Sequence, residues 1–204
     1  MWAADSQAAP FEPAVRLDVH GMPKRDGARG ANDDAVEHGK RKRIKMQRFW
    51  ATRRFWATLV AVVHLVLIDA VVKELAAGYL KGAAAVSVIP NFFNLAYVEN
   101  RGCAWGLFQG RVWPLAVFGI AALVFLIWKR RVVFGVGHLA AVAESLLYAG
   151  IIGNLIDRLV RGYVIDMFDF HWGIHHFPCF NVADACICIA VGLMILCSSG
   201  KPTC

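Results

Sequence analysis

Four long apolar runs limit what this chain can fold into. Phe55–Val72 has Asp69 as its only charge, Val112–Trp128 has none, Val132–Ile156 contains only Glu144, and Cys179–Gly200 contains only Asp184. A helix needs about 20 apolar residues to cross the ~30 Å hydrocarbon core of a bilayer, and each run approaches that length. The composition agrees: the 204 residues are 58% hydrophobic and 18% charged, with a mean hydropathy of +0.49. Soluble domains carry about 25% charged residues. The length suits one compact domain. The expected fold is an all-α integral membrane protein with four transmembrane helices, at about 55–72, 112–128, 132–156 and 180–200.

The net charge of +7 does not point to nucleic acid, because of where the charge sits. Lys40–Arg54 holds eight basic residues and no acidic one, directly ahead of the first apolar run. Arg53–Arg54, Lys129–Arg130–Arg131 and Lys201 then mark one side of the membrane, the cytoplasmic side under the positive-inside rule. Both termini are expected there, with residues 73–111 and 157–179 facing outward. Residues 1–48 have no apolar period and read as a disordered cytoplasmic extension, leaving 49–204 as the membrane domain. The stretch "VSVIPNFFNLAYVENRGCAWGLF" mixes β-branched and aromatic residues with Pro and Gly, which predicts a small extracytoplasmic β-sheet.

The few polar residues inside the spans gather at one depth. At about 1.5 Å per residue, Asp69 lies roughly 22 Å from Arg54, Asn154 roughly 34 Å from Arg131, and Asp184 roughly 26 Å from Lys201. Asp69 with Lys73, Asn154 with Asp157 and Arg158, and Asn181 with Asp184 each share a helix face. Three segments therefore bring polar groups to the same outer boundary. Lys73 can neutralise Asp69 and Arg158 can neutralise Asp157, but Asp166 and Asp184 have no basic residue within a helical turn. Glu144 stands apart at mid-span, as a helix–helix hydrogen bonder or the lining of a polar cavity. "HWGIHHFPC" has no compact metal spacing, and the six cysteines contain no CxxC pair, so neither a metal nor a cofactor is expected.

Two carboxylates without basic partners can share a proton, one acting as base and the other as acid. Such a dyad activates water against an amide. A small proton-coupled transporter would also keep intramembrane acids, but would spread them through the membrane's depth. A non-catalytic interaction protein needs no paired acids.

Four blocks resemble the bacterial lipoprotein signal peptidases (signal peptidase II), and occur in that family's order. They are "DAVVK" (Asp69–Lys73), "NRGCAWG" (Asn100–Gly106), "GNLIDRLVRGYVIDMFDF" (Gly153–Phe170) and "FNVADA" (Phe180–Ala185). The resemblance implies that Asp166 and Asp184 are the catalytic pair. It implies that Asn154, Asp157, Arg158 and Asn181, with Asp69 and Lys73, shape the centre, and that Asn100 and Gly102 meet the substrate. It further implies an aspartic endopeptidase of the bacterial inner membrane, expected to act as a monomer. Its partners would be membrane lipids and diacylglyceryl-modified prolipoproteins, cleaved at the outer face. Ala70 and Val72 depart from the family's Gln and hydroxyl residue, as do Cys103, Trp105 and Ala185 from its Ala, Phe and Ser.

Overall fold

A computed structural model describes residues 26–103, 107–135 and 137–199. Ala104, Trp105 and Gly106 of the "NRGCAWG" block lie outside the described residues, as do residues 1–25. The element order is α1 (Asp26–Leu80), β1 (Val86–Ile89), β2 (Phe93–Asn100), α2 (Val112–Trp128), α3 (Arg130–Val133), α4 (His138–Val160), β3 (Val164–Trp172), β4 (His175–His176) and α5 (Val182–Ser199).

Within residues 1–48, expected to be disordered, the described part from Asp26 onward is helical and begins α1. From Lys40 the chain is rich in Lys and Arg, residues that lose little rotamer freedom in a helix. Glu37 and Arg41 add an exposed i, i+4 pair at 3.2 Å. Residues up to Ala51 form one unit and Thr52–Cys204 another.

Within the second unit, α1 runs on past the expected end at residue 72. It stops at Leu80, and Gly82 follows with a φ of 77°, a left-handed conformation that suits glycine after a helix end. Helix α2 matches the expected span, with Pro114 in its first turn where no helical N–H is lost. The third span begins later than expected. Gly135 and Gly137 have φ values of 69° and 135°, so they separate α3 from α4 and the long helix starts at His138.

Two helical stretches, Val36–Leu80 and His138–Val160, are long and apolar enough to cross a membrane, while Val112–Trp128 and Val182–Ser198 are shorter apolar helices. Large side chains such as Leu67, Phe118, Trp128 and Leu196 are exposed on them. Lipid, not a protein core, is the solvent that suits such a surface. Small residues fill much of the contact between α4 and α5. Ala143, Leu147, Gly150 and Gly153 of α4 are buried, and Ala183 and Ala190 of α5 are too. A Cβ on Gly150 would stand 2.4 Å from the Ala183 carbonyl oxygen, so the glycine sets how closely the two helices approach.

The sheet is antiparallel, in the order β1-β2-β3-β4. It is larger than the sequence predicts, because β3 and β4 come from the second of the two segments expected to face outward. Backbone N–H groups of Met167 and Phe168 donate to the Phe180 carbonyl at 3.1 and 2.9 Å, tying β3 to the start of α5. Rings of Phe93, Phe170 and Phe180 stack across this junction, 4.6 and 5.8 Å apart. The β2–β3 pairing contains a bulge. Asn94 faces Asp169 and Val98 faces Asp166, so four steps on β2 match three on β3. Asp166 and Asp169 both line one groove, although they are three residues apart on β3.

Candidate active site

The site forms where the C-terminal end of α4, the N-terminal end of α5 and strand β3 meet. Its first component is the cap of α5. Asn181 Oδ1 accepts from the Asp184 N–H at 2.9 Å, and Asp184 Oδ2 accepts from the Asn181 N–H at 3.3 Å. This reciprocal arrangement is a capping box, legible in the sequence as Asn-x-x-Asp. It places Asp184 in the first turn of α5, where free amides and the helix dipole favour a carboxylate. Asn154 Nδ2 donates to Asp184 Oδ1 at 2.7 Å, linking α4 to this turn.

Asp166 approaches from β3 and is 1% exposed. It accepts from Asn181 Nδ2 at 2.7 Å and from Asn100 Nδ2 at 2.9 Å. One side chain, Asn181, thus contacts both aspartates. Burial first, and then the charge of Asp184, push the Asp166 carboxyl up to about 7, against the lowering effect of its bonds from Asn100 and Asn181. Among the described residues no salt bridge reaches Asp166 or Asp184, as the sequence suggests.

Below the pair lies a buried ionic layer. Lys73, 1% exposed, contacts Asp69 at 2.7 Å, Asp157 at 2.9 Å and Asn154 Oδ1 at 3.3 Å. The lysine therefore serves both aspartates, which corrects the expected pairing of Asp157 with Arg158. The guanidinium of Arg158 donates instead to the carbonyls of Asn154 and Gly102, each at 3.2 Å. It ties the β2–α2 loop to the end of α4. Asp69 Oδ1 also accepts from the Ala183 N–H at 2.9 Å, so α1 helps cap α5. Gly102 N–H donates to Asn100 Oδ1 at 2.9 Å, which orients the asparagine toward Asp166. All ten residues singled out in the sequence belong to this one network.

A groove of about 600 Å³ opens over Asp166, lined also by Val98, Asn100, Cys103, Asp169, His176 and Cys179. Sequence reasoning missed its far wall. From the sequence Asp169 is expected in an outer loop, yet it lies in β3 and accepts from Asn94 at 3.1 Å and pairs with His176 at 2.7 Å. The alternation of "VIDMFDFHW" was the available signal for a strand. Cys179 lies against the groove, but burial, then Asp166 and Asp169, push its thiol up to about 12. Burial beside two acids disfavours the thiolate that a cysteine nucleophile needs.

The family model for signal peptidase (SPase) II matches residues 61–199. The chain belongs to the signal peptidase II family. These are aspartic peptidases of the membrane that cleave signal peptides from prolipoproteins. Among similar proteins, a lipoprotein signal peptidase of Syntrophotalea carbinolica is 40% identical over 70% of this chain and 91% of its own. One from Clostridium acetobutylicum is 38% identical over 68% and 89%. One from Fusobacterium nucleatum is 44% identical over 65% and 79%. Two solved bacterial membrane enzymes share the fold. The first has a TM-score of 0.63 at 33% identity, covering 70% of this chain and 87% of that one. The second has a TM-score of 0.61 at 32% identity, covering 72% and 94%.

Proposed function

We propose that Asp166 and Asp184 are the catalytic dyad with which this signal peptidase II removes the signal peptide from diacylglyceryl-modified prolipoproteins. The observation that carries the reading is the bridge through Asn181, which donates to Asp166 at the groove and accepts from the amide of Asp184, joining two acids that no salt bridge reaches among the described residues. Asp166 carries the shared proton and Asp184 the charge. Water attacks the scissile carbonyl carbon and gives a proton to Asp184, while Asp166 protonates the carbonyl oxygen. The tetrahedral diol then collapses, the C–N bond breaks, and the departing nitrogen takes a proton from the dyad. Lys73 acts at one remove. Together with Arg161, 3.6 Å from Asp157, it offsets the charges of Asp69 and Asp157 while these acids hold α5 and β3 through the Ala183 and Ile165 amides.

The four apolar helices span the membrane as a bundle with both termini cytoplasmic, and the sheet lies at the outer face. Charge distribution supports this orientation: the basic clusters stand at the end of the helices away from the sheet. The substrate's acyl chains and signal helix both reside in lipid, so a scissile bond at the outer boundary is where they can present it. The enzyme acts as a monomer, since the network is complete within one chain.

Purified enzyme should cleave a diacylglyceryl-modified prolipoprotein peptide and leave the unmodified peptide intact. Asp166→Asn and Asp184→Asn should each lower turnover at least about 10³-fold, and the double variant should be little worse than either single one. Normal cleavage by either variant would exclude the dyad.

A further inference from the structure

The groove contains a second acid–base pair outside the proposed dyad. His176 Nδ1 stands 2.7 Å from Asp169 Oδ1, while Asn94 Nδ2 holds Asp169 Oδ2 at 3.1 Å. The His171 ring stacks on His176 with centroids 4.9 Å apart, fixing the plane of the imidazole. Both Asp169 and His176 line the groove together with Asp166. Burial alone would raise the Asp169 carboxyl. Its bonds from His176 and Asn94, with the charges of His176 and His171, outweigh that and hold it below the usual carboxylate range.

The charges around this pair are unevenly balanced. Glu99, Asp166 and Asp169 all line the groove, and His176 is the single lining side chain among the described residues that can carry positive charge there. Glu99 is already engaged by Lys81 and Arg101, at 3.5 and 3.3 Å. Arg158 is bound to backbone carbonyls and, like Asp184, is not among the residues lining the groove. An acidic substrate side chain entering the groove therefore meets carboxylates with His176 alone to offset them.

Position along the strand fixes what the pair can touch. Asp169 is three residues from Asp166, about 10 Å at a strand's rise, which an extended substrate also covers in about three residues. From Asp166, β3 leads away from the helix ends toward the β3–β4 hairpin. The signal segment stays among lipid, so this is the direction taken by the mature side of the substrate. We propose that the Asp169–His176 pair is the charge-selecting element of the groove, reading the side chain that a bound prolipoprotein presents about three residues beyond the scissile bond on its mature side. The inference rests on this groove being the one the peptidase uses.

The test uses full-length enzyme in vesicles of a zwitterionic phospholipid. Three diacylglyceryl-modified peptides differ only at the third mature-side residue, which is Glu, Gln or Lys. His176→Gln removes the one lining side chain among the described residues that can carry positive charge, so kcat/KM for the Glu peptide should fall about three- to tenfold relative to the Gln peptide, and the Lys peptide should gain. Asp169→Asn removes a carboxylate and should shift the three peptides in the opposite order. A structural role for the pair would move all three peptides together in both variants, and that result overturns the proposal. So does a discrimination unchanged from wild type in both variants while Asp166→Asn is inactive. If Asp166→Asn cleaves normally, the groove is not the peptidase site, and both readings fail.

Discussion

The two polar atoms of the Asn181 side chain divide their work between the aspartates. Nδ2 donates to Asp166, and Oδ1 accepts from the amide of Asp184. An aspartate at this position would lack the donor, and a serine would be too short to serve both. Asn100 has a similar but separable role, since its bond to Asp166 is one of the effects lowering that carboxyl while burial and Asp184 raise it to about 7. A dyad works with one proton, so the rate should fall as the pH rises above about 7 and Asp166 loses its proton. Removing the Asn100 bond removes a lowering effect. Asn100→Ala should therefore move the alkaline limb of the kcat/KM profile to higher pH, even though its turnover at neutral pH is lower. A limb that moves to lower pH, measured on the same lipidated peptide, would contradict this assignment of the proton.

At the scale of elements, α4 carries two different kinds of contact. Toward its C-terminal end the close approach to α5 leaves no room for side chains. A Cβ on Gly153 would stand 2.6 Å from Asp69 Oδ2. Asp69 would have to turn away from the Ala183 N–H and from Lys73, so Gly153→Ala should cost about 1–3 kcal/mol of stability. It should also lower activity at least about tenfold, because the first turn of α5 carries Asp184. Near the N-terminal end Glu144 is 1% exposed and is held by Arg54 at 2.9 Å and by Arg130 at 2.9 Å. Arg54 also donates to the Gly135 carbonyl at 2.9 Å. Glu144 thus clamps α1 and α3 onto α4, and its role is a double ion pair. Glu144→Ala strands two arginines around an apolar gap and should cost about 3 kcal/mol, seen as a lower unfolding temperature in detergent. Its kcat should stay within a few-fold of wild type, since Glu144 is about ten residues from Asn154 and ~15 Å along the helix.

For the whole molecule, orientation is the property that controls access to substrate. The basic clusters Lys40–Arg54 and Lys129–Arg131 predict that the sheet end faces out. In a variant with the six native cysteines replaced, a reporter cysteine at Gln109 should react with an impermeant reagent on intact cells, and one at Arg130 should not. The reverse pattern would invert the topology. The cysteine replacements should themselves leave cleavage in place, since the neutral thiol of Cys179 takes no part in a carboxylate mechanism.

Much of this protein was legible in the chain alone, because lipid imposes simple rules. Apolar length gave the helices, as Val112–Trp128 shows by matching α2 end for end. Depth counting brought Asp69, Asn154 and Asp184 to one level, because a helix advances by a fixed rise and charged residues are costly elsewhere in the bilayer. The Asn-x-x-Asp spacing fixed the cap of α5, because a capping box is local. Pairings between distant segments were a different matter. Lys73 chose Asp157 as well as Asp69, and Arg158 chose two carbonyls, because those partners converge only when α1, α4 and the β2–α2 loop are packed. Asp169 found Asn94 and His176 only once β2, β3 and β4 were paired, so no pattern within "VIDMFDFHW" announces those partners. Glu144 found its arginines the same way, across 90 residues of sequence to Arg54. Rules with a fixed period survive in one dimension, whereas the choice of partner for a buried charge is made by whichever groups the tertiary structure desolvates together.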